Sequence, residues 1–441
     1  MEESELLEPF ELHYSDLILL SSPPTNDSVS SEELERLEAV KRTILETLGP
    51  EGPGLLSITG VPSTSLLRRN LLPLARKLAL LDHGRRKLIL KNHNLGSDVP
   101  LKNPDRIVSS FAMHLKYAEA QEHNNLADKL NNDDPHGSDS EVECEDNEFK
   151  NLAGRFKELG YCMMELGLRV AKICDKAIGG QELERSLMES GTAKGRLIHY
   201  HSFLDNLVIE NSCGKKASSK KVADFRQKQE VCLRSKLKEL KGTNLVGNGN
   251  ERGPCGNQGN LWQQWHYDYG IFTVLTAPMF RLSESIAADQ ECPCPDGNSC
   301  LQVFDSNRNR VLRVKSSPES FIVQVGESAD ILSKGKLRST LHCVSRPEKL
   351  GTLSRDTFVV FLQPSWNKTF SISDYAIGHS GLGANLEGNS STEHELDELA
   401  KRIREIVPPL SSRLKDGMTF AEFSRETTKQ YYGGRGLQSN S

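Results

Sequence analysis

The chain has 441 residues, of which 55 are lysine or arginine and 60 are aspartate or glutamate, so its formal net charge is −5. This mild acidity argues against attraction of the whole protein to nucleic acid. No apolar run approaches the roughly 18 residues of a membrane-spanning helix, and the acidic start lacks the features of a secretory signal. The ten cysteines are scattered, so we expect reduced thiols in the cytoplasm or the nucleus. The hydrophobic fraction of 37% predicts a core that is diluted by polar insertions.

The first 120 residues predict a lobe of helices with one short strand. An amphipathic helix begins near Ser30 and ends before Pro50, because proline cannot continue a helix. The apolar residues 55–58 form the strand. A second helix is predicted over 65–81, where apolar residues recur three and four positions apart. We assign residues 1–120 to this N-terminal lobe.

Two charged segments interrupt the chain. The first is the acidic segment 121–148, in which residues 133–148 include eight acidic residues and no lysine or arginine. Such a composition buries too little apolar area to offset the entropy of ordering, which predicts a flexible loop. The second, 212–260, has ten basic residues within 215–241 and then a run rich in glycine and asparagine. We expect its basic part to be a solvated helix, or one that lies against the acidic segment. Contact with nucleic acid or an anionic membrane is the alternative.

The strongest helical pattern lies between these segments, within residues 149–211. Apolar residues recur three and four positions apart from Phe149 to Ile173, and Gly179 and Gly180 end the pattern. The length predicts a helix that packs along a sheet or barrel. We interpret its apolar stripe as core and not as a cofactor site. The first strand of the barrel is expected directly after this helix.

From Trp262 to Pro364 the pattern changes to short runs of β-branched and aromatic residues that are separated by turns. Short strands at this spacing predict a sandwich or a jelly-roll barrel, which we assign to residues 261–370. A further helix is predicted over 393–407. It belongs to a C-terminal extension, residues 371–441, which ends in a polar tail.

A histidine and an aspartate stand two positions apart in the β-rich part, as His266 and Asp268. Because residues i and i+2 of a strand point to the same face, both side chains can reach one point. A second histidine, His342, follows at the end of another apolar stretch. Two imidazoles and one carboxylate suit Fe(II) and leave positions open for substrate groups and dioxygen. Taken alone the pair is a weak signal, because a histidine in a barrel is more often a core residue.

The residues around these three resemble the plant-type 2-oxoglutarate/Fe(II)-dependent oxygenases, the isopenicillin N synthase-like dioxygenases. The His-x-Asp-Tyr-Gly pattern of that family appears at 266–270, its Leu-Gln-Val strand at 301–303 and its Ser-x-x-His pattern at 339–342. Its Arg-x-Ser pattern looks like 355–357, and its upstream tyrosine strand is similar to 196–200. The resemblance extends over most of the chain.

This resemblance implies an α+β fold: a double-stranded β-helix (jelly-roll) core with a long supporting helix, a helical N-terminal lobe and a C-terminal helical extension. It also implies a non-haem dioxygenase with Fe(II) as cofactor and with 2-oxoglutarate and O2 as cosubstrates. Such an enzyme oxidises a small organic metabolite and releases succinate and CO2. The implied iron ligands are His266, Asp268 and His342.

The resemblance further implies three cosubstrate-binding residues. Arg355 is expected to form a forked, charge-assisted pair with the distal carboxylate of 2-oxoglutarate, a geometry that lysine cannot copy. Thr357, two positions along the same strand, is expected to offer its hydroxyl to that carboxylate, and Tyr200 a further hydrogen bond. A surface salt bridge is the alternative interpretation of Arg355.

Two other functions stay open. Cys343 stands where the family usually has arginine after the second histidine, and Ile198 stands where it usually has asparagine. These differences and the charged segments are compatible with a catalytically inactive barrel that binds a protein partner. They are also compatible with the same chemistry on a macromolecular substrate. We expect a small-molecule substrate and no membrane association, and we disfavour a nucleic-acid partner.

Two weaker signals have plainer interpretations. Cys292, Cys294 and Cys300 share one turn-rich connection, but they lack the spacing and the fourth ligand of a zinc site. They predict a loop of reduced thiols. His199 and His201 flank the predicted cosubstrate tyrosine, and either line the pocket or belong to the core.

Overall fold

The fold is described from a computed structural model of the chain. Part of the acidic segment, the basic part 215–241, Cys294 and most of the helix predicted over 393–407 lie outside the described residues. No described helix is long and apolar enough to cross a bilayer. The structure describes residues 5–22, 30–103, 106–122, 147–212, 261–282, 291–293, 297–347, 352–371, 401, 403 and 405–432.

The N-terminal part contains helices and four short or medium strands. In chain order these are β1 (Leu6–Leu7), β2 (Glu11–His13), α1 (Tyr14–Ser21), α2 (Ser31–Leu48), β3 (Leu55–Thr59), α3 (Thr64–Leu71), α4 (Pro73–Leu80), α5 (His83–Asn92) and β4 (Val108–Lys116).

The helix predicted near Ser30 and the strand predicted over 55–58 are present as α2 and β3. Ser30 caps α2, since its hydroxyl accepts a hydrogen bond from the backbone N–H of Glu33 at 3.2 Å. The single helix predicted over 65–81 is wrong, because the structure has two helices, α3 and α4, in that stretch. Pro73 begins the second helix, where its missing N–H is tolerated, but it would break a continuous one.

The predicted long helix is α6 (Leu152–Ile178), which lies along one face of the larger sheet. Its buried side includes Phe156, whose ring lies 4.7 Å from that of Phe358 in an edge-to-face contact. The helix ends at Gly179, which has a φ of 77° that glycine adopts without strain. The prediction of a helix packed on a sheet is confirmed.

The rest of the chain supplies the barrel and the elements that flank it. In chain order these are α7 (Glu182–Ser190), β5 (Thr192–Tyr200), α8 (Phe203–Ser212), β6 (Leu261–His266), β7 (Phe272–Thr276), β8 (Met279–Leu282), β9 (Glu291–Cys292), β10 (Leu301–Asp305), β11 (Arg310–Val314), β12 (Phe321–Val325), α9 (Glu327–Leu332), β13 (His342–Ser345), β14 (Leu353–Leu362), α10 (Leu410–Arg413) and α11 (Phe420–Tyr432).

These strands form two sheets. The larger has the order β2-β3-β12-β7-β14-β5-β4, with β8 beside β14 and β9 beside β8, and the smaller has the order β1-β11-β10-β13-β6. From β5 to β14 the chain passes repeatedly from one sheet to the other, and the pairs within each barrel sheet are antiparallel. This connectivity is that of a double-stranded β-helix, so the predicted α+β jelly roll is confirmed.

Strands from the N-terminal part extend both barrel sheets. Strand β3 pairs with β12 and β4 pairs with β5, whereas β1 lies parallel to β11. The sequence did not predict β1 and β2, which have two and three residues, because a short strand depends on its partner more than on its own residues. The nine-residue strand β4 was not predicted either. The N-terminal part is therefore hydrogen-bonded to the barrel along continuous sheets.

Apolar side chains form separate clusters on the two faces of the larger sheet. The largest cluster lies between this sheet, α6 and the N-terminal helices. A smaller one includes Tyr200, Trp262 and Leu353. The space between the two sheets, next to this smaller cluster, is where the predicted site residues lie.

Candidate metal centre and cosubstrate pocket

Two histidines face each other across neighbouring strands. His266 is the last residue of β6 and His342 is the first of β13, and the two are direct partners in the register of these strands. Their ring centroids lie 4.2 Å apart. This pairing explains how residues 76 positions apart in the chain reach one point.

Asp268 completes the cluster. The sequence pattern suggested that it lies in the same strand as His266, but it lies just beyond the end of β6. Its Oδ1 lies 3.6 Å from Nε2 of His266 and its Oδ2 lies 3.8 Å from Nε2 of His342. One ligand atom from each of the three residues lies within 4.8 Å of the other two, so together they could hold a metal ion.

Backbone carbonyls orient both imidazoles. Nδ1 of His266 lies 2.7 Å from the carbonyl oxygen of Gln264, and Nδ1 of His342 lies 3.0 Å from that of Thr340. A carbonyl can only accept, so each Nδ1 carries the proton and each Nε2 keeps its lone pair. Burial, helped by the neighbouring histidine, lowers the pKa of His266 to about 4, so this imidazole is neutral near pH 7.

Two polar side chains support the cluster. The Thr273 hydroxyl donates to Oδ2 of Asp268 at 2.6 Å. Gln263 lies between two predicted site residues: its Nε2 is 2.9 Å from Nε2 of His266, and its Oε1 accepts from the Tyr200 hydroxyl at 3.0 Å. Gln263 was not predicted from the sequence, because a glutamine three positions before a histidine carries no signal of its own. Two imidazole nitrogens and a supported carboxylate fit Fe(II).

Arg355 lies deep in the same pocket and lacks a partner for one of its nitrogens. The residue is 2% exposed, its Nε donates to the carbonyl oxygen of Ser299 at 3.1 Å, and its guanidinium lies 5.0 Å from the Tyr200 ring centroid. Nη1 is buried, and no described residue supplies an acceptor for its N–H groups. An unpaired buried cation is costly, so this position fits an anion such as the distal carboxylate of 2-oxoglutarate.

Thr357 and Tyr200 also border the pocket. Thr357 faces the same way as Arg355, and its hydroxyl has long contacts of 3.4 Å to the Thr276 hydroxyl and carbonyl oxygens. Tyr200 is the direct register partner of Arg355 on β5. The hydroxyl of Tyr200 donates to Gln263 here, so its direct bond to the cosubstrate stays a prediction.

One pocket brings all six predicted site residues together. Its lining is apolar for the most part, apart from these residues and four others: Gln263, Ser110, Thr273 and Arg196. The apolar lining residues are Val108, Ile198, Trp262, Leu275, Leu301, Val344, Val359 and Phe361.

His199 and His201 belong to the core and do not line this pocket. Nδ1 of His199 lies 2.6 Å from Oδ1 of Asp356, and its Nε2 lies 3.3 Å from Oδ2 of Asp205. Burial opposes the charge of this imidazole, yet the two carboxylates together raise the pKa of His199 to about 9. The Ser109 hydroxyl lies 2.9 Å from Nε2 of His201. None of the described cysteines forms a disulfide.

Two histidines and one aspartate beside an open pocket form the ligand set that non-haem Fe(II) oxygenases use. Residues 292–364 match the model of the 2OG-Fe(II) oxygenase superfamily, a segment that contains His342, Arg355 and Thr357. This segment of the chain therefore carries a 2OG-Fe(II) oxygenase domain. The domain and the three clustered side chains support a non-haem dioxygenase that uses Fe(II), 2-oxoglutarate and O2.

Several solved structures have a similar course of the chain at low sequence identity. A full-length protein of Neurospora crassa, solved in complex with alpha-KG, is 16% identical, with a TM-score of 0.49 over 91% of this chain and 98% of that one. The dioxygenase for auxin oxidation 1 of Arabidopsis thaliana is 13% identical, with a TM-score of 0.44 over 82% and 94%. The rice dioxygenase for auxin oxidation is 15% identical, with a TM-score of 0.45 over 95% and 99%. No curated protein sequence matches the chain.

Proposed function

We propose that this oxygenase oxidises a small organic molecule, by hydroxylation, desaturation or a related reaction, with release of succinate and CO2. His266, Asp268 and His342 hold the iron in this proposal. Arg355 binds the distal carboxylate of 2-oxoglutarate, with Thr357 and Tyr200 beside it. The observation that carries the proposal is the unpaired, buried Nη1 of Arg355 in the same pocket as the three ligand residues.

Each part of the pocket has a separate task. Bound Fe(II) supplies the redox chemistry that couples oxidative decarboxylation of 2-oxoglutarate by O2 to oxidation of the substrate. The carbonyls of Gln264 and Thr340 keep both Nε2 atoms aimed at the ion, and Thr273 holds the carboxylate of Asp268 in place. Arg355 fixes the cosubstrate at the opposite end.

The lining of the pocket favours a small substrate. The site is a single pocket between the two sheets, and apolar side chains provide most of its wall. An apolar wall excludes water from the reacting groups and binds an apolar body.

The test is an anaerobic titration of Fe(II)-loaded protein with 2-oxoglutarate. Chelation of the iron by the keto acid is expected to give a metal-to-ligand absorption band at millimolar 2-oxoglutarate. Succinate release under air, with candidate small molecules, then identifies the substrate. Absence of the band in the wild-type protein contradicts the proposal and leaves the partner-binding barrel in its place.

A further inference from the structure

A second arginine lines the pocket, at the end where the metal ligands lie. The guanidinium of Arg196, on β5, is 4.9 Å from the ring centroid of Phe361. Phe361 is opposite Thr273 in the strand register, and Thr273 donates to Asp268. Arg196 is opposite Val359 in the strand register, four residues from Arg355 along β14, which is roughly 13 Å in an extended strand. The two arginines therefore lie at opposite ends of one pocket.

The charge of Arg196 is only partly balanced. Its Nε lies 2.7 Å from Oδ2 of Asp98, but the same carboxylate also accepts from Nζ of Lys194 at 2.8 Å. One carboxylate thus serves two cations. The two terminal nitrogens of Arg196 have no hydrogen-bond partner in the part of the chain that the structure describes. They remain available to a molecule in the pocket.

With Fe(II) and 2-oxoglutarate bound, one positive charge near the pocket has no negative partner. The two positive charges of Fe(II) and the one of Arg355 balance Asp268 and the two carboxylates of 2-oxoglutarate. Arg196 and Lys194 together exceed Asp98 by one positive charge. Arg196 lines the pocket, whereas Lys194 and Asp98 do not line it and are 22% and 25% exposed, so the excess charge lies at the edge of the pocket. An anionic group of the ligand beside Arg196 would balance this charge.

An unpaired hydroxyl lies near Arg196 on the same inner face. Ser110 is 1% exposed, lines the pocket, and its hydroxyl has no hydrogen-bond partner among the described residues. In the register of β4 and β5, Ser110 is the partner of Ile198 and Ala112 is the partner of Arg196. Ser110 therefore lies two positions along the strand from the partner of Arg196. The pocket wall around them is apolar. These groups match a ligand that has one anionic end and an apolar body.

We propose that the substrate is an apolar molecule with one carboxylate, and that Arg196 binds this carboxylate with help from Ser110. This inference rests on the proposed function, since the charge balance assumes bound Fe(II) and 2-oxoglutarate. A planar guanidinium with two free terminal nitrogens matches a carboxylate in a forked pair. Asp98 tunes the site, because it competes with the substrate for the same guanidinium.

The test compares two probes that differ in charge and share one body, 3-phenylpropanoate and 3-phenylpropanamide. Their dissociation constants are measured by ligand-observed NMR on anaerobic protein loaded with Fe(II) and 2-oxoglutarate. The carboxylate is expected to bind at least about tenfold more tightly than the amide. Arg196→Gln should remove this preference, and Asp98→Asn should increase it. Arg155→Gln, at a partly exposed arginine on α6, serves as the control and should keep it.

The absorption band separates the two proposals. A wild-type protein without the 2-oxoglutarate band contradicts the proposed function itself. If the band forms, three results overturn the carboxylate inference alone. These are equal binding of the two probes, no binding of the carboxylate at millimolar concentration, and a preference for the carboxylate that survives in Arg196→Gln.

Discussion

At the scale of single residues, the pocket is defined by polar groups that lack a partner. Nη1 of Arg355 and the hydroxyl of Ser110 are both buried without a hydrogen bond to any described residue. Such groups destabilise the folded chain until a ligand supplies the missing partner, so they indicate where ligands bind. Arg355 could be predicted because its motif is local. Ser110 could not, since only the pairing of β4 with β5 brings it to the pocket.

Replacing Arg355 tests the cosubstrate end of the pocket. A buried carboxylate without its guanidinium loses roughly 3–5 kcal/mol, and about 1.4 kcal/mol corresponds to tenfold in affinity. Arg355→Ala should therefore weaken 2-oxoglutarate binding by roughly two to three orders of magnitude in the anaerobic titration. Arg355→Lys should recover only part, since a point charge cannot replace the fork. An alanine variant with wild-type affinity would refute the assignment.

Replacing the metal ligands tests the other end. His342→Ala and Asp268→Ala should each abolish stoichiometric Fe(II) binding, because each removes one of the three proposed ligands. His114→Ala is a matched control, since His114 is exposed on β4 and far from these residues in the strand order. Metal content after anaerobic loading and desalting gives the result, and circular dichroism checks that the fold is kept. Unchanged iron content in both ligand variants would show that the metal is held elsewhere.

The buried His199 makes stability depend on pH. Two carboxylates raise the pKa of His199 from its unfolded value of about 6.5 to about 9. The folded state therefore binds a proton more tightly than the unfolded state. This contribution is fully present below about pH 6.5 and is lost as pH rises through 9, for a total of roughly 3 kcal/mol.

Urea denaturation of the wild type at several pH values between 6 and 9 measures this loss. His199→Gln should be less stable at pH 6 and should lose little more between pH 6.5 and 9. His83→Gln, at an exposed histidine that begins α5, should keep the wild-type slope. A wild-type slope in the His199 variant would mean that another group causes the pH dependence.

At the scale of elements, the long helix α6 shows how closely helix and sheet approach. A Cβ added at Gly167 would lie 2.0 Å from Cδ1 of Leu362, a fully buried residue at the end of β14. At Gly154, in the exposed first turn of the same helix, a Cβ would meet only the side chain of Asn151, which is exposed and can move. Close packing against β14 therefore requires glycine at position 167, whereas packing does not require it at position 154.

Alanine at these two positions should have opposite effects. Gly167→Ala overpacks the interface and should lower the free energy of unfolding by roughly 1–3 kcal/mol. Gly154→Ala should raise it by up to about 1 kcal/mol, since alanine favours the helix over glycine. Urea denaturation of both variants measures the difference. Equal effects of the two changes would contradict a close contact between α6 and β14.

At the scale of the whole molecule, the sequence predicts the parts that depend on local pattern. The metal-ligand and arginine motifs, the long helix and most barrel strands are read from short stretches, and the structure places them in one jelly roll. The pair of Arg196 with Asp98 and the added strand β4 arise from contacts between distant residues, which no local pattern specifies. The domain boundary at residue 120 stays a prediction, and strands β3 and β4, which precede it, pair with the barrel strands β12 and β5.

The C-terminal extension is bonded to the loop that carries Asp268, one of the proposed metal ligands. Arg413, at the end of α10, donates to the carboxylate of Glu327 at 2.7 and 2.5 Å, and both side chains are buried. The backbone N–H of Glu327 donates to the carbonyl oxygen of Asp268 at 2.8 Å. The N–H of Tyr267 donates to the hydroxyl of Tyr431 at 3.3 Å. Residues far beyond the barrel therefore hold this loop on both sides of the ligand.

Arg413→Ala should affect both stability and the metal site. It leaves the carboxylate of Glu327 buried without its partner, which should lower the free energy of unfolding by roughly 3–5 kcal/mol. Fe(II) should also bind more weakly, because Glu327 no longer holds the backbone of Asp268 in place. The double variant Arg413→Met with Glu327→Gln should recover much of the stability, since no charge is then left buried. Arg425→Ala, at an exposed arginine of α11, should change stability by less than about 0.5 kcal/mol. Urea denaturation and anaerobic Fe(II) titration measure the two effects, and a stable Arg413→Ala variant with wild-type iron affinity would show that the extension does not support the site.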